Sequence, residues 1–205
     1  MKRQSCNFLI PAILMLIILN LAVPAKADSP AKVVEEFQAV LIEAMKAADK
    51  STIRERFDQL ERPVKKAFHM PLMAQMATGR YWQSATMDQK RAVVSAFGRM
   101  SIATLATLFD GYDGEAFSLV GEKSGAQGTT IIRTKLKKSD GELIQIDYRT
   151  LKIRDRWHLI DVIIDNTMSE LTTKIDEYKP TLKKAGVPGL IRLLNDTADK
   201  LMSPS

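Results

Sequence analysis

Side chains that could do metal chemistry are few in this chain and stand far apart along it. The two histidines, His69 and His158, lie in different halves of the sequence, and neither has a second ligand-type residue at a useful spacing. Protein metal sites need several such ligands held close together. The sequence therefore predicts no metal site, and His69 is interpreted as a surface or hydrogen-bonded histidine.

Carboxylates offer no catalytic pair either. Asp161 and Asp165 fall four residues apart in a predicted strand, about 13 Å by strand rise, which is too far for a glycosidase pair. We interpret Asp161 as a partner of Arg149 or Arg133 on a polar sheet face, and Asp147 in the same way. The chain has no Gly-x-Ser-x-Gly elbow, phosphate-binding glycine loop or dinucleotide fingerprint. It is predicted not to be an enzyme, with no catalytic residue and no cofactor.

The N-terminus has the pattern of a secretory signal peptide. Lys2 and Arg3 precede an apolar run from Phe8 to Val23, and Ala25-Lys26-Ala27 is a small-x-small cleavage site. The run is shorter than the roughly 20 residues of a membrane-spanning helix. We expect residues 1–27 to be the signal peptide, cleaved after Ala27, and residues 28–205 to form one domain.

Composition narrows the class of partner. The single cysteine, Cys6, lies in the predicted signal peptide, so the exported chain would form no disulfide. Removing three basic residues with that peptide lowers the net charge from +6 to +3. So mild a charge on an exported chain argues against nucleic acid as a partner and fits weak attraction to anionic membranes.

Apolar spacing predicts helices in the first half of the exported chain. Helices are expected after Ser29-Pro30, from Ser51 to near Pro63, and between Pro71 and Gly79. Thr86-Met87-Asp88-Gln89 is a capping box that should begin a long helix ending near Gly111.

After Gly114 the apolar residues recur at every second position instead of at helical spacing. This alternation predicts four strands in a sequential antiparallel meander. Their expected ranges are 116–120, 129–137, 143–151 and 157–165, with a hairpin turn at Ser139-Asp140-Gly141. Two closing helices, 169–178 and 189–201, follow and are split by Pro180, Gly186 and Pro188. The predicted fold class is α+β, with the N-terminal and closing helices packed on one face of the sheet.

Four stretches occur together in an informative order: "GRYWQSATMDQKRAVVSAF" (79–97), "FDGYDGEAFSLVGE" (109–122), "IDYRTLKIRDRWHLIDVIIDNTMSELTTKIDEY" (146–178) and "AGVPGLIRLL" (185–194). The chain resembles the MlaC-type periplasmic phospholipid-binding proteins, also called the toluene-tolerance auxiliary family. The Tyr-Trp pair and the Trp-His-Leu-Ile-Asp-Val run are similar to the hopanoid-associated HpnM-like branch. One departure follows the last predicted strand, where the family usually has a glycine, then an apolar residue, then a serine. The segment Asp165-Asn166-Thr167-Met168-Ser169 keeps the serine and lacks the glycine; asparagine tolerates the left-handed conformation.

The resemblance implies a soluble periplasmic carrier. Such a carrier would enclose the tails of a phospholipid or hopanoid-type lipid between sheet and helices. Its partners would be an inner-membrane ABC transporter complex and an outer-membrane lipoprotein complex. Residues 28–205 would then be a single lipid-binding domain, and the carrier would need no catalytic residue.

An apolar pocket is expected between the apolar sheet face and the long helix. Its predicted lining is Phe97, Met100, Leu105, Phe109, Ile132, Ile144, Ile146, Tyr148, Ile160, Val162 and Ile164. Tyr81 and Trp82 are interpreted as core anchors or, alternatively, as residues of the pocket rim.

Two other functions remain open at this point. Helices followed by a curved meander also describe cone-shaped enzymes of the nuclear-transport-factor-two-like kind, although the apolar face carries no carboxylate, only Tyr148. The chain could instead be a structural partner of a membrane complex that binds no lipid.

Overall fold

The computed structural model describes residues 29–203. The predicted signal peptide and its cleavage site lie outside the described residues. Six α-helices are present in the described part: α1 (Pro30–Ala47), α2 (Ile53–Ala67), α3 (Met70–Thr78), α4 (Tyr81–Ser84), α5 (Met87–Leu108) and α6 (Glu170–Met202). Five strands form one sheet: β1 (Ala116–Ser124), β2 (Thr130–Lys137), β3 (Leu143–Ile153), β4 (Arg156–Ile164) and β5 (Met168–Ser169).

The α+β class and the antiparallel meander are confirmed, and the sheet order is β1-β2-β3-β4-β5. The predicted number of four strands is wrong. Met168 and Ser169 pair with Ile164 and Ile163 and add a fifth, two-residue strand. So short a strand carries no period of its own, which is why alternation in the sequence did not reveal it.

Helix starts follow the sequence signals closely. Thr86 and Gln89 form the predicted capping box of α5. For α2 the prediction was one residue off, because Thr52 rather than Ser51 is the cap and it makes its own capping box with Glu55. The helix also continues through Pro63 to Ala67 instead of stopping at the proline.

The two predicted closing helices are present as two helical segments of α6 that meet at a kink, with no loop between them. Within α6 only Gly186 departs from helical geometry, with φ 60° and ψ −163°. Pro188 lies two residues later, where a proline suits the first turn of the second segment. The residues between 178 and 189 that were expected to be irregular are therefore helical on both sides of the kink.

Replacing Gly186 with Ala is expected to lower the free energy of unfolding by about 1–3 kcal/mol, because its φ and ψ are nearly restricted to glycine. Urea denaturation followed by circular dichroism measures the change. Gly111→Ala is the matched control, since no heavy atom lies within 4 Å of a Cβ there and its φ is not in the left-handed region. Equal effects at both positions would contradict the strain argument.

The core joins all the long helices to one face of the sheet. Phe37 of α1 contacts Phe68 and Tyr148 through edge-on ring pairs with centroids 5.0 and 6.2 Å apart. The long helix α5 packs on α2, α3 and α6, and a space remains between α5 and the sheet. Within residues 29–203 no helix is both long and apolar enough to cross a bilayer.

Candidate functional site

An apolar cavity of about 230 Å³ lies between α5 and the sheet. Eight of the eleven side chains predicted to line a pocket meet here: Phe97, Met100, Leu105, Phe109, Ile146, Tyr148, Val162 and Ile164. They come from α5 and its C-terminal end, from β3 and from β4. The structure thus brings together residues that are up to 67 positions apart in sequence, and their role toward a ligand stays a prediction.

Three predicted lining residues lie elsewhere. Ile132 is completely buried in the main core, and Ile144 is half-buried near the start of β3, outside the cavity lining. Ile160 is displaced by a bulge: Arg149 pairs with Asp161, but the next residue of β3 pairs with Leu159. The extra residue shifts the alternation by one, so Leu159 joins the core in the place that strict alternation assigned to Ile160.

A second group of lining residues comes from the N-terminal helices and was missed. It contains Phe37, Leu41, Val64, Phe68, Met70 and Met73. Helical periodicity indicates which residues of a helix are buried but does not say which buried face borders a cavity. Three methionines, at 70, 73 and 100, line the wall, and their unbranched side chains can adapt to apolar ligands of different shape.

A small network of buried polar groups lies beside the cavity lining. The Gln38 amide Nε2 donates to Thr134 Oγ1 at 3.0 Å, and that hydroxyl donates to the Ile146 carbonyl at 2.6 Å. Burial raises the pKa of Tyr148 to about 12, partly offset by a hydrogen bond with the Gln38 side chain. Tyr148 therefore stays neutral at physiological pH and presents no charge to the apolar cavity.

Tyr148→Phe is expected to make folding stability less sensitive to alkaline pH. The unfolded tyrosine ionises near 10, while the folded one ionises near 12. The wild type should therefore lose up to about 3 kcal/mol of stability as the pH rises between these values, and the variant should lose less. Denaturation at pH 9 and pH 11.5 measures this, and an identical pH dependence in both proteins would contradict it.

The cavity reaches the surface between the C-terminal end of α5 and the start of α6. Leu108 is exposed there, and Glu170 and Lys174 stand at the same opening. Lys174 forms an ion pair with Glu177, with 2.8 Å between Nζ and Oε2. The charge of Lys174 at this opening is therefore already paired with a carboxylate.

Asp161 is paired as predicted, but it is not on an exposed face. Its side chain is 2% exposed, and its carboxylate lies 3.8 Å from the Arg149 guanidinium. It also accepts hydrogen bonds from the Ser169 hydroxyl at 2.8 Å and from the Leu171 backbone N–H at 3.0 Å. Asp161 therefore holds the first turn of α6 against β4.

Asp147 resembles Asp161 in being buried beside an arginine. Arg133 Nε lies 3.8 Å from its carboxylate, and the Gln145 amide donates to it at 3.0 Å. The same Gln145 amide donates to Asn166, which has the left-handed φ of 60°. Asn166 therefore takes the left-handed conformation that asparagine tolerates better than most residues.

The two histidines meet although they are far apart in sequence. The His69 and His158 rings pack edge-on with centroids 5.2 Å apart, and His69 Nδ1 accepts the Leu72 N–H as the cap of α3. Among residues 29–203, no group of three or more His, Cys, Asp or Glu side chains is arranged to hold a metal ion.

Tyr81 and Trp82 form α4, after Gly79 ends α3 with φ 56°. Both are half-buried and pack against the edge of the core. Neither lines the inner cavity. Trp82 instead lines a separate surface cavity beside the first half of α5, with the Lys90 ammonium 5.6 Å from its ring centroid.

Comparison with known proteins gives the family. No curated protein matches the chain significantly. A solved structure of the phospholipid-binding protein from Ralstonia solanacearum, in complex with a phospholipid, has the same fold with a TM-score of 0.74. It shares 20% sequence identity, and the match covers 86% of this chain and all of that one. The sequence model of the MlaC protein family matches residues 32–196, and the chain therefore belongs to the MlaC family.

Proposed function

We propose that this protein is a periplasmic phospholipid carrier that encloses acyl chains in the cavity between α5 and the sheet. The single observation that carries the proposal is this apolar cavity. It lies in a chain whose fold is shared by a protein that was solved with a phospholipid. Membership of the MlaC family supports the same class of function.

The energetics require such an enclosure. Each methylene moved into water costs about 0.8 kcal/mol, so two exposed acyl chains cost on the order of 20 kcal/mol. A carrier must therefore cover almost the whole of both chains. Moving chains between a bilayer and an apolar cavity changes their free energy little, so the direction of transfer must come from partner complexes.

Taking up a lipid requires the cavity to expand. Its volume of about 230 Å³ is below the roughly 300–1,000 Å³ of sites that hold drug-sized ligands. The side of α5 that faces the sheet is the natural place for expansion, because the main packing partners of α5 are the helices α2, α3 and α6. Met70, Met73 and Met100 can change rotamer there without leaving polar groups unpaired.

The cellular setting is part of the proposal. We propose that residues 1–27 direct export and are removed after Ala27, and that residues 28–205 act as a single lipid-binding domain. The carrier would exchange lipid with an inner-membrane ABC transporter complex and an outer-membrane lipoprotein complex. An HpnM-like role with a hopanoid-type lipid stays a prediction.

Lipid extraction and mass spectrometry of protein purified from the periplasm test the proposal. We expect about one lipid per chain, and the mass separates a phospholipid from a hopanoid. A folded protein that carries no lipid, and takes none from phospholipid vesicles, would overturn the proposal.

A further inference from the structure

The surface cavity beside Trp82 has the composition of a binding site for an anionic amphiphile. It measures about 550 Å³ and lies where the end of α2, the start of α3, α4 and the first half of α5 meet. Trp82, Val94 and Gly98 contribute to its apolar floor, and Lys65, Lys90 and Arg91 surround it. We call it the outer cavity, and the cavity between α5 and the sheet the inner cavity.

The outer and inner cavities share a wall. Phe68 and Met70 line both of them. One continuous stripe of α5 borders both cavities, because its residues follow each other at steps of four and three. The stripe contains Val94 and Gly98 in the outer cavity and Ser101, Leu105 and Leu108 in the inner one.

Met70 is the more adaptable of the two side chains that form this wall. Its Cγ lies 3.8 Å from the position that a Cβ would take on Gly98. The absence of a side chain on Gly98 leaves the methionine as the group that fills the junction. An unbranched thioether side chain has several accessible rotamers, so Met70 is the side chain of this wall that can most readily move aside.

The charges of the outer cavity favour a phosphate. Among the described residues, its lining contains three cationic side chains and no carboxylate. Lys65 pairs with Glu61 and Arg91 pairs with Asp88 outside the lining. The Lys90 ammonium, by contrast, has no carboxylate within 4 Å among residues 29–203 and lies over the Trp82 ring. It is thus the cation that can bind a ligand anion without giving up an ion pair, whereas Lys174 at the opening of the inner cavity is already paired with Glu177.

We propose that the outer cavity binds the head group of a phospholipid, with its phosphate at Lys90 and Arg91 and its acyl chain running over Trp82 and past Met70 into the inner cavity. This inference rests on the proposed lipid-carrier function and places the head group at the Lys90 end of the protein. The opening beside Lys174 then serves the far end of the chain.

Trp82 provides the reporter for the test. The chain has two tryptophans, so Trp157→Phe leaves Trp82 as the only indole. This protein is loaded with phosphatidylglycerol carrying brominated acyl chains, and with the unbrominated lipid in parallel. We expect the brominated lipid to quench Trp82 emission relative to the unbrominated one.

Charge reversal provides the second measurement. In the same background, Lys90→Glu/Arg91→Glu should weaken phosphatidylglycerol binding about tenfold, since it replaces two attractions with two repulsions. Lys179→Glu, an exposed lysine of α6 outside both cavities, is the matched control and should change the affinity less than about twofold.

The outcomes separate this inference from the proposed function. Stoichiometric lipid binding with unquenched Trp82, or with an affinity that the double substitution leaves unchanged, would overturn the head-group site alone. A protein that binds neither lipid would overturn the carrier function together with this inference.

Discussion

Thr104→Trp is expected to reduce the lipid carried per chain at least about tenfold. Thr104 lies on α5 in the lining of the inner cavity, and its hydroxyl donates to the Met100 carbonyl at 3.0 Å. An indole at this position would occupy much of the roughly 230 Å³ cavity and exclude the acyl chain. Each methylene denied burial removes about 0.8 kcal/mol of binding energy, so loss of two or more methylenes gives the tenfold effect.

Thr107→Trp is the matched control for this prediction. Thr107 is also a half-buried threonine of α5, and its hydroxyl donates to the Ala103 carbonyl at 3.0 Å, but it does not line the inner cavity. Lipid extraction with mass spectrometry measures the cargo, and thermal denaturation reports the fold of both variants. Full lipid content in a folded Thr104→Trp protein would show that the acyl chain lies elsewhere.

Asp161→Ala is expected to produce the largest loss of stability, about 3 kcal/mol. The substitution removes a buried carboxylate that accepts two hydrogen bonds and pairs with Arg149. It leaves the Leu171 N–H, in the first turn of α6, without its acceptor. Hydrogen bonds to charged groups contribute about 1.5–3 kcal/mol each, and breaking a buried pair costs about 3–5 kcal/mol; the half-exposed Arg149 places the expected value at the low end.

Two further substitutions test whether the buried carboxylate of Asp161 accounts for this loss of stability. Asp161→Asn keeps an oxygen that can accept the Leu171 N–H but loses the charge, so we expect it to cost less than the alanine variant. Asp176→Ala breaks only the exposed ion pair with Lys179 and should change stability by less than about 1 kcal/mol. Urea denaturation measures all three; an Asp161→Ala effect no larger than that of Asp176→Ala would show that the buried carboxylate does not hold α6.

Much of the binding surface followed from the sequence, because both sheet and helix present their residues with a fixed period. Alternation correctly grouped Ile146 with Tyr148 and Val162 with Ile164, and all four line the inner cavity. It failed at Ile160, where one bulged residue changes the phase of the strand. The sequence signalled neither that bulge nor the burial of the charged Asp161 and Asp147.

The sequence by itself determined the features that depend on a few neighbouring residues. The capping box at Thr86, the end of α3 at Gly79 and the left-handed turn at Asn166 are local, because side chain and backbone interact within one turn of chain. Only the tertiary structure decided that Phe37 and Leu41 line the inner cavity and that Phe68 and Met70 separate it from the outer one. Those relations join elements that are distant along the chain, and they depend on how whole faces pack, which no local periodicity encodes.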